Sequence, residues 1–193
     1  KGRLDVLLVS YPRFLALHVH THTHTRTHTH THTHNLNPTQ LAEQYFRSAE
    51  QMCPTDPLVY NEIGVVYFKQ GDWIHAEQCF KEVMRLVDHL PHPLLVSWEA
   101  TQCNLGHVCR KMQKLEEAAR HYETALGLCP RRASTYTALG FTRHMQGDFD
   151  RAIEHYHQAL GIRSTDTFAS EMLRRALEDS LESADWLNDV PVC

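Results

Sequence analysis

The sequence predicts an all-α, right-handed superhelix of about three and a half stacked two-helix repeats followed by a terminal helix. The first observation is a recurring pattern: an alanine, then an aromatic residue four positions later, then a small apolar residue three positions after that. The pattern begins four times, with spacings of 34, 42 and 34 residues, at Ala42, Ala76, Ala118 and Ala152. The second observation is a glycine that follows an apolar residue in the preceding helix of three repeats, at Gly64, Gly106 and Gly140. A fixed period of this length is typical of α-solenoids.

The turn signals agree with this period. Gly71-Asp72-Trp73 and Gly147-Asp148-Phe149 mark turns between the two helices of a repeat, since glycine tolerates a positive φ at no steric cost. Pro54 and Pro130 follow second helices, and Asp56-Pro57 is typical of a helix cap followed by proline at the first helical position. With the period of 34, these features resemble the tetratricopeptide repeat.

The pattern has a reason in packing. A glycine in the first helix of a repeat lets the second helix approach closely, opposite the pattern's alanine. The aromatic residue then fills the gap to the next repeat. Because one repeat cannot bury its apolar face alone, we expect the units to stack.

The pattern divides the chain into units. We predict a tetratricopeptide-repeat solenoid over residues 37–185 and a loose tail over 186–193. Its parts are a half unit at 38–54, full units at 57–86, 99–130 and 133–164, and an end helix at 167–184. The irregular stretch 87–98 accounts for the interval of 42 residues, and the half unit leads us to expect a fragment that lacks preceding repeats. In the end helix, Arg174 stands where the other units have glycine.

The first 36 residues differ in kind from the rest. Eight of the 16 histidines lie between His18 and His34, mostly alternating with threonine. Such a low-complexity run cannot make a core, so we expect disorder over 1–36. Histidine-rich tracts bind zinc or copper weakly, but a CACACA nucleotide repeat also encodes alternating histidine and threonine. We interpret residues 1–34 as a translated repeat from a faulty gene model.

Composition argues against several classes of function. The formal net charge is −4, and no basic stripe with interleaved aromatic residues occurs, which argues against nucleic-acid binding. No stretch is long and apolar enough to span a bilayer. The six cysteines lack metal-ligand spacing, and the sequence has no glycine-rich phosphate loop, HExxH motif or nucleophile elbow. We therefore expect no enzyme activity, no cofactor and no metal. We expect instead that the chain binds other proteins.

A groove can be assigned by position. In tetratricopeptide repeats the inner face is lined by residues two, five, nine and twelve of each first helix, which suits an extended or helical peptide. The predicted groove residues on this register are Asn61, Val65, Phe68, His107, Arg110, Thr137, Phe141, His144 and, in the end helix, Arg175. An alternative for Phe68 and Phe141 is that each packs on a neighbouring helix. The Lys/Asn carboxylate clamp of chaperone-tail-binding repeats is absent, since Asn61 and Val65 occupy its places.

A more specific resemblance rests on residues between the repeat positions. Leu105–Lys111 reads LGHVCRK, and the chain also contains EIGVVYFKQGDWIHAEQCF, ALGLCP, ASTYTALGF, GDFDRAIEHYHQALGIR and DTFASEML. Over residues 37 to 176, these segments resemble the C-terminal repeats of subunit six of the anaphase-promoting complex, the cell-division-cycle-sixteen family. The long connection before Trp98 fits the same family.

The resemblance implies a non-catalytic scaffold subunit of a ubiquitin ligase that marks mitotic regulators for degradation. It implies binding to other subunits of that complex, including the small cell division cycle protein twenty-six in the groove, and a nuclear and cytoplasmic location with spindle association. Asn104, His107 and Arg110 match the family motif and are the expected contacts, although Asn104 lies off the inner register. The family's dimerising N-terminal repeats are missing and WLNDVPVC replaces its acidic tail, so homodimerisation is not expected. The alternative is an unrelated repeat adaptor, such as a co-chaperone or transport adaptor.

Overall fold

The computed structural model describes residues 55–188 and, before them, Gln44, Arg47, Ser48 and Gln51. Regular structure within residues 55–188 is entirely helical. The α-helices are α1 (Pro57–Gln70), α2 (Trp73–Val87), α3 (His92–Leu95), α4 (Glu99–Lys111), α5 (Leu115–Leu128), α6 (Ala133–Met145), α7 (Phe149–Ile162) and α8 (Thr167–Asn188), with a 3₁₀ turn at Val96–Trp98 between α3 and α4. The predicted disordered segment 1–36 lies outside the described residues, and only four residues of the predicted half unit at 38–54 are described.

The long helices pack as three hairpins, α1 with α2, α4 with α5, and α6 with α7. They correspond to the predicted units 57–86, 99–130 and 133–164. Each hairpin also packs on the next, α2 against α4 and α5 against α6, and α8 packs on α7. The result is a stack of helices in which the main contacts of each described hairpin are with its neighbours along the chain.

Aspartates begin α1, α2 and α7. The Oδ1 atoms of Asp56, Asp72 and Asp148 accept hydrogen bonds from backbone N–H groups two or three residues on, which satisfies donors left open at a helix start. Gly71 and Gly147 take φ values of 82° and 78° in the turns that precede two of these caps. The middle hairpin turns at Gln113 instead, with a φ of 62°, where a side chain is strained.

Three core clusters run along the stack, and each is shared by neighbouring units. In the first, Phe80 of α2 packs with Leu105 and Val108 of α4. In the second, Tyr122 of α5 packs with Leu139 of α6. The third joins α7 to the inner side of α8 through Tyr156, Met172 and Ala176.

Ion pairs also cross from one unit to the next. The Glu77 carboxylate of α2 binds Lys114 Nζ at 3.0 Å and Lys81 Nζ at 2.7 Å. Glu99 at the start of α4 binds Arg132 Nη2, just before α6, at 3.0 Å. Arg143 of α6 binds Glu123 of α5 at 2.6 Å. The pairs of Glu77 with Lys114, Glu99 with Arg132 and Arg143 with Glu123 therefore tie one hairpin to its successor, while Lys81 binds Glu77 within α2.

Two segments differ from the sequence predictions. The stretch 87–98, expected to be irregular, contains α3 and the 3₁₀ turn. The end helix continues to Asn188, so residues 186–188 are helical and the predicted tail shortens to 189–193, outside the described residues. The extension has a simple cause, because no glycine or proline occurs between Thr167 and Asn188 to end the helix.

Candidate protein-binding groove

The predicted groove residues lie mostly inside the stack rather than on an open wall. Seven of the ten are buried, namely Asn61, Val65, Phe68, Asn104, His107, Arg110 and Thr137. Phe141 and His144 are half-buried and Arg175 is exposed. Because buried side chains offer little surface, the half-buried Phe141 and His144 and the exposed Arg175 offer more area to a partner than the other seven.

The first unit contributes packing more than contact surface. Val65 and Phe68 belong to the first core cluster, and Phe68 meets the Trp73 ring edge-on with the centroids 4.9 Å apart. Phe68 therefore packs on a neighbouring helix, which is the alternative to a groove contact considered for it above. Asn61 is held by Thr101 of the next unit, whose hydroxyl donates to Asn61 Oδ1 at 2.9 Å.

The middle unit brings two predicted residues together around one hydroxyl. Tyr122 Oη of α5 lies 2.8 Å from His107 Nδ1 of α4, and His107 Nε2 lies 3.6 Å from Cys103 Sγ. The Arg110 guanidinium neighbours the same hydroxyl and partly offsets the burial that raises the pKa of Tyr122. The repeat pattern predicts only packing for Tyr122, the aromatic residue four positions after Ala118, and the sequence signal for this contact is the histidine at position nine of the paired helix.

Arg110 links the middle unit to the last one. Its guanidinium carbon lies 5.2 Å from the centroid of the Phe141 ring, in cation–π geometry. Phe141 in turn meets Phe168 of α8 edge-on at 6.0 Å. An unbroken series of contacts thus runs from Tyr122 through Arg110 to the two phenylalanines.

His144 and Arg175 lie at the far end of the groove. His144 Nε2 is 2.6 Å from Asp179 Oδ2, which fastens the inner face of α6 to α8. Arg175 binds Glu171 of its own helix at 2.8 Å and remains exposed. Thr137 is turned inward, with its hydroxyl donating to the Ala133 carbonyl.

Asn104 is buried away from any partner that the described residues supply. It is 1% exposed, and neither its Nδ2 nor its Oδ1 has a hydrogen-bond partner there. A buried amide in that state costs free energy, so it is a poor core residue. The structure thus places Asn104 in α4 near the other two expected contacts in sequence, but gives its side chain no hydrogen-bond partner among the described residues.

One cluster of metal-ligand type occurs among the described residues. Ligand atoms of Glu77, Cys109 and Glu117 lie within 4.8 Å of one another. Two lysines already bind the Glu77 carboxylate, and burial raises the pKa of the Cys109 thiol to about 11, which keeps it protonated at neutral pH. The cluster is better suited to an ion-pair network than to a metal, because metals bind the thiolate.

The helices between residues 55 and 188 include none with the length and apolar character to cross a membrane.

The tetratricopeptide repeat family profile matches residues 56–129 and 99–165, which together cover more than half of the chain. This chain belongs to the tetratricopeptide repeat family. The predicted all-α tetratricopeptide-repeat fold is therefore confirmed.

Within that family, particular relatives are similar to the chain. The cell division cycle protein 16 homolog of Homo sapiens is 41% identical over 143 residues, which make up 74% of this chain and 23% of that protein. Anaphase-promoting complex subunit 6 of Arabidopsis thaliana is 40% identical over 144 residues, 75% of this chain and 26% of that protein. The chain thus spans about a quarter of the length of these relatives.

A solved structure of an anaphase-promoting complex assembly is also similar to this chain. The crystal structure of the Cut9–Hcn1 hetero-tetramer of the anaphase-promoting complex has a TM-score of 0.68 and 32% identity, covering 72% of this tetratricopeptide-repeat chain and 27% of that one. The resemblance to subunit six of the anaphase-promoting complex, predicted from the motifs, is confirmed.

Proposed function

We propose that this chain acts as a non-catalytic scaffold subunit of the anaphase-promoting complex and holds partner subunits through the inner face of its repeats. The observation that carries the proposal is that about three quarters of the chain aligns with subunit six in sequence, and nearly as much aligns with Cut9 in structure. The proposed partners are other subunits of the complex, including cell division cycle protein twenty-six.

The groove supports a protein partner through its composition. Phe141 and Phe168 give a half-buried aromatic step, His144 lies beside them on the inner register, and Arg110 supplies a positive charge below. Aromatic and arginine side chains are enriched at protein interfaces.

Affinity purification of the tagged full chain, followed by mass spectrometry, tests this proposal. We expect recovery of ligase subunits with the wild-type chain and loss of them with Phe141→Ala. Ile74→Ala is the matched control, because Ile74 is 60% exposed at the start of α2, away from the inner register. Recovery of chaperones alone would support the adaptor alternative and overturn the proposal.

Location and oligomeric state follow from the same proposal. We place the chain in the nucleus and cytoplasm with spindle association in mitosis, to be checked by imaging a fluorescent fusion. We expect no homodimer, which light scattering of the purified chain would test. A dimer mass at micromolar concentration would contradict that expectation.

A further inference from the structure

Equivalent aromatic residues occupy the second helix of each hairpin. Phe80, Tyr122 and Tyr156 lie against Gly64, Gly106 and Gly140 of the paired helix and are fully buried. Phe80 demonstrates that this packing position needs no hydroxyl. The two tyrosine hydroxyls therefore call for a separate explanation.

The two hydroxyls have different surroundings. Tyr122 Oη is 2.8 Å from His107 Nδ1. Tyr156 Oη is buried without a hydrogen-bond partner among the described residues, because Phe141 stands where His107 stands one unit earlier. The same side chain at the same repeat position thus serves packing alone in α7, and binds a groove residue in α5.

The direction of the Tyr122–His107 hydrogen bond follows from its neighbour. A guanidinium can only donate hydrogen bonds, and its positive charge favours a hydroxyl that turns its lone pairs toward it. The Arg110 charge acts on the Tyr122 hydroxyl, which lies 2.8 Å from His107 Nδ1, so the arrangement that suits this charge turns the O–H away from Arg110 and lets it donate to Nδ1. His107 then carries its proton on Nε2, which faces Cys103 Sγ at 3.6 Å.

We propose that Tyr122 is a positioning residue of the groove, whose hydroxyl holds His107 as the neutral Nε2-protonated tautomer and seats Arg110 under Phe141. This inference rests on the proposed function, in that the groove meets a partner chain. The consequence for binding is pre-organisation: with His107 and Arg110 fixed, Phe141 is held against Phe168 before the partner arrives.

Imidazole nitrogen NMR on the full chain tests the tautomer without any partner. His107→Phe identifies the His107 signals among those of the 16 histidines. We expect the wild-type signals to report protonation on Nε2, and Tyr122→Phe to shift them toward a mixture of tautomers. Tyr156→Phe is the matched control and should leave them unchanged. A wild-type ring protonated on Nδ1, or signals that do not respond to Tyr122→Phe, would overturn the assignment.

Titration with purified cell division cycle protein twenty-six tests the effect on binding. Tyr122→Phe should weaken affinity about three- to tenfold, as expected for one lost hydrogen bond, and Tyr156→Phe should remain within about twofold. Equal affinities for these two variants would overturn the positioning role. No binding by the wild-type chain would instead contradict the proposed function, while the NMR result would still decide the tautomer.

A double-mutant cycle keeps the test decisive even if one variant is unstable. His107→Phe copies the Phe141–Tyr156 pairing found in the last hairpin, so the fold accommodates it one unit away. We expect Tyr122→Phe to lose less affinity in the His107→Phe background than in the wild-type chain, because only the action of the hydroxyl on Arg110 then remains to be lost. Additive losses would show that the hydroxyl acts independently of His107, contrary to the proposal.

Discussion

Tyr122 closes directly over Gly106: a Cβ built on that glycine would lie 2.5 Å from Cε1 of the tyrosine ring. No real side chain tolerates that separation, and the ring is enclosed by the second core cluster, so it cannot move aside. The period of glycine and aromatic residues thus reflects the close approach of an aromatic ring to a glycine backbone in each hairpin.

Gly106→Ala should therefore destabilise the fold by about 1–3 kcal/mol through overpacking. Gly127→Ala is the matched control, since that helical glycine has nothing within 4 Å of an added Cβ and alanine is the better helix former. We expect Gly127→Ala to raise the free energy of unfolding by up to about 1 kcal/mol, measured by urea denaturation. Equal midpoints for the two variants would contradict the close contact.

The turn at Gln113 offers a stabilising change. Gln113 holds a φ of 62°, a conformation that costs a residue with a side chain about 1–2 kcal/mol. Gln113→Gly should raise the free energy of unfolding by about 0.5–1 kcal/mol, after allowing for the greater freedom of glycine in the unfolded chain. Gly147→Gln, at the equivalent turn, should lower it. Thermal unfolding curves that order the variants the other way would refute this account of the turn.

Glu77 should make the free energy of unfolding fall at acidic pH. Burial alone would raise the pKa of Glu77, but hydrogen bonds from Lys81 and Lys114 outweigh it and hold the pKa below its ordinary value. A depressed carboxyl pKa contributes stability above the unfolded value, near 4.5, and this contribution is lost as the pH falls through the folded pKa. Glu77→Gln should cost about 1–2 kcal/mol at pH 7 and flatten the loss of stability below pH 4.5.

Glu82→Gln serves as the control for that measurement. Glu82 binds Arg85 on the same helix and both side chains are partly exposed, so we expect a change below about 0.5 kcal/mol. Denaturation at pH 7, 5 and 3 compares the two variants. A Glu82 effect as large as the Glu77 effect would mean that bridging between hairpins adds nothing.

Glu99 should have the opposite sign. Burial raises its pKa, and the attraction of Arg132 and the Thr135 hydrogen bond only partly oppose this. The folded chain then binds the proton more tightly than the unfolded chain, so ionised Glu99 costs stability. The protonated form stabilises the fold below the unfolded pKa, and this contribution is lost as the pH rises through the folded pKa. Since Arg132 is half exposed and stays hydrated when its partner is removed, we expect Glu99→Gln to be neutral or to stabilise by up to about 1 kcal/mol at pH 7. A loss above 2 kcal/mol would contradict this.

The sequence predicted the hairpins well because their determinants are local. Gly64, Gly106 and Gly140 and the aromatic residues opposite them repeat at fixed spacing, and each hairpin closes through contacts near in sequence. The burial of Asn61, Val65 and His107 was harder to predict, because it depends on the angle between successive hairpins rather than on a spacing. Tyr122 was read as packing for a similar reason, since only the three-dimensional neighbour distinguishes it from Tyr156.

The staggered core clusters determine how the molecule comes apart. Phe80 is enclosed partly by Leu105 and Val108 of the next hairpin, and Tyr156 by Met172 of α8. The core of each hairpin is therefore completed by residues of the next element, and opening one hairpin exposes apolar side chains of its neighbour to solvent. Local opening should spread along the chain, so that hydrogen exchange in the central helices α4 to α7 follows a single cooperative event instead of separate ones for each repeat.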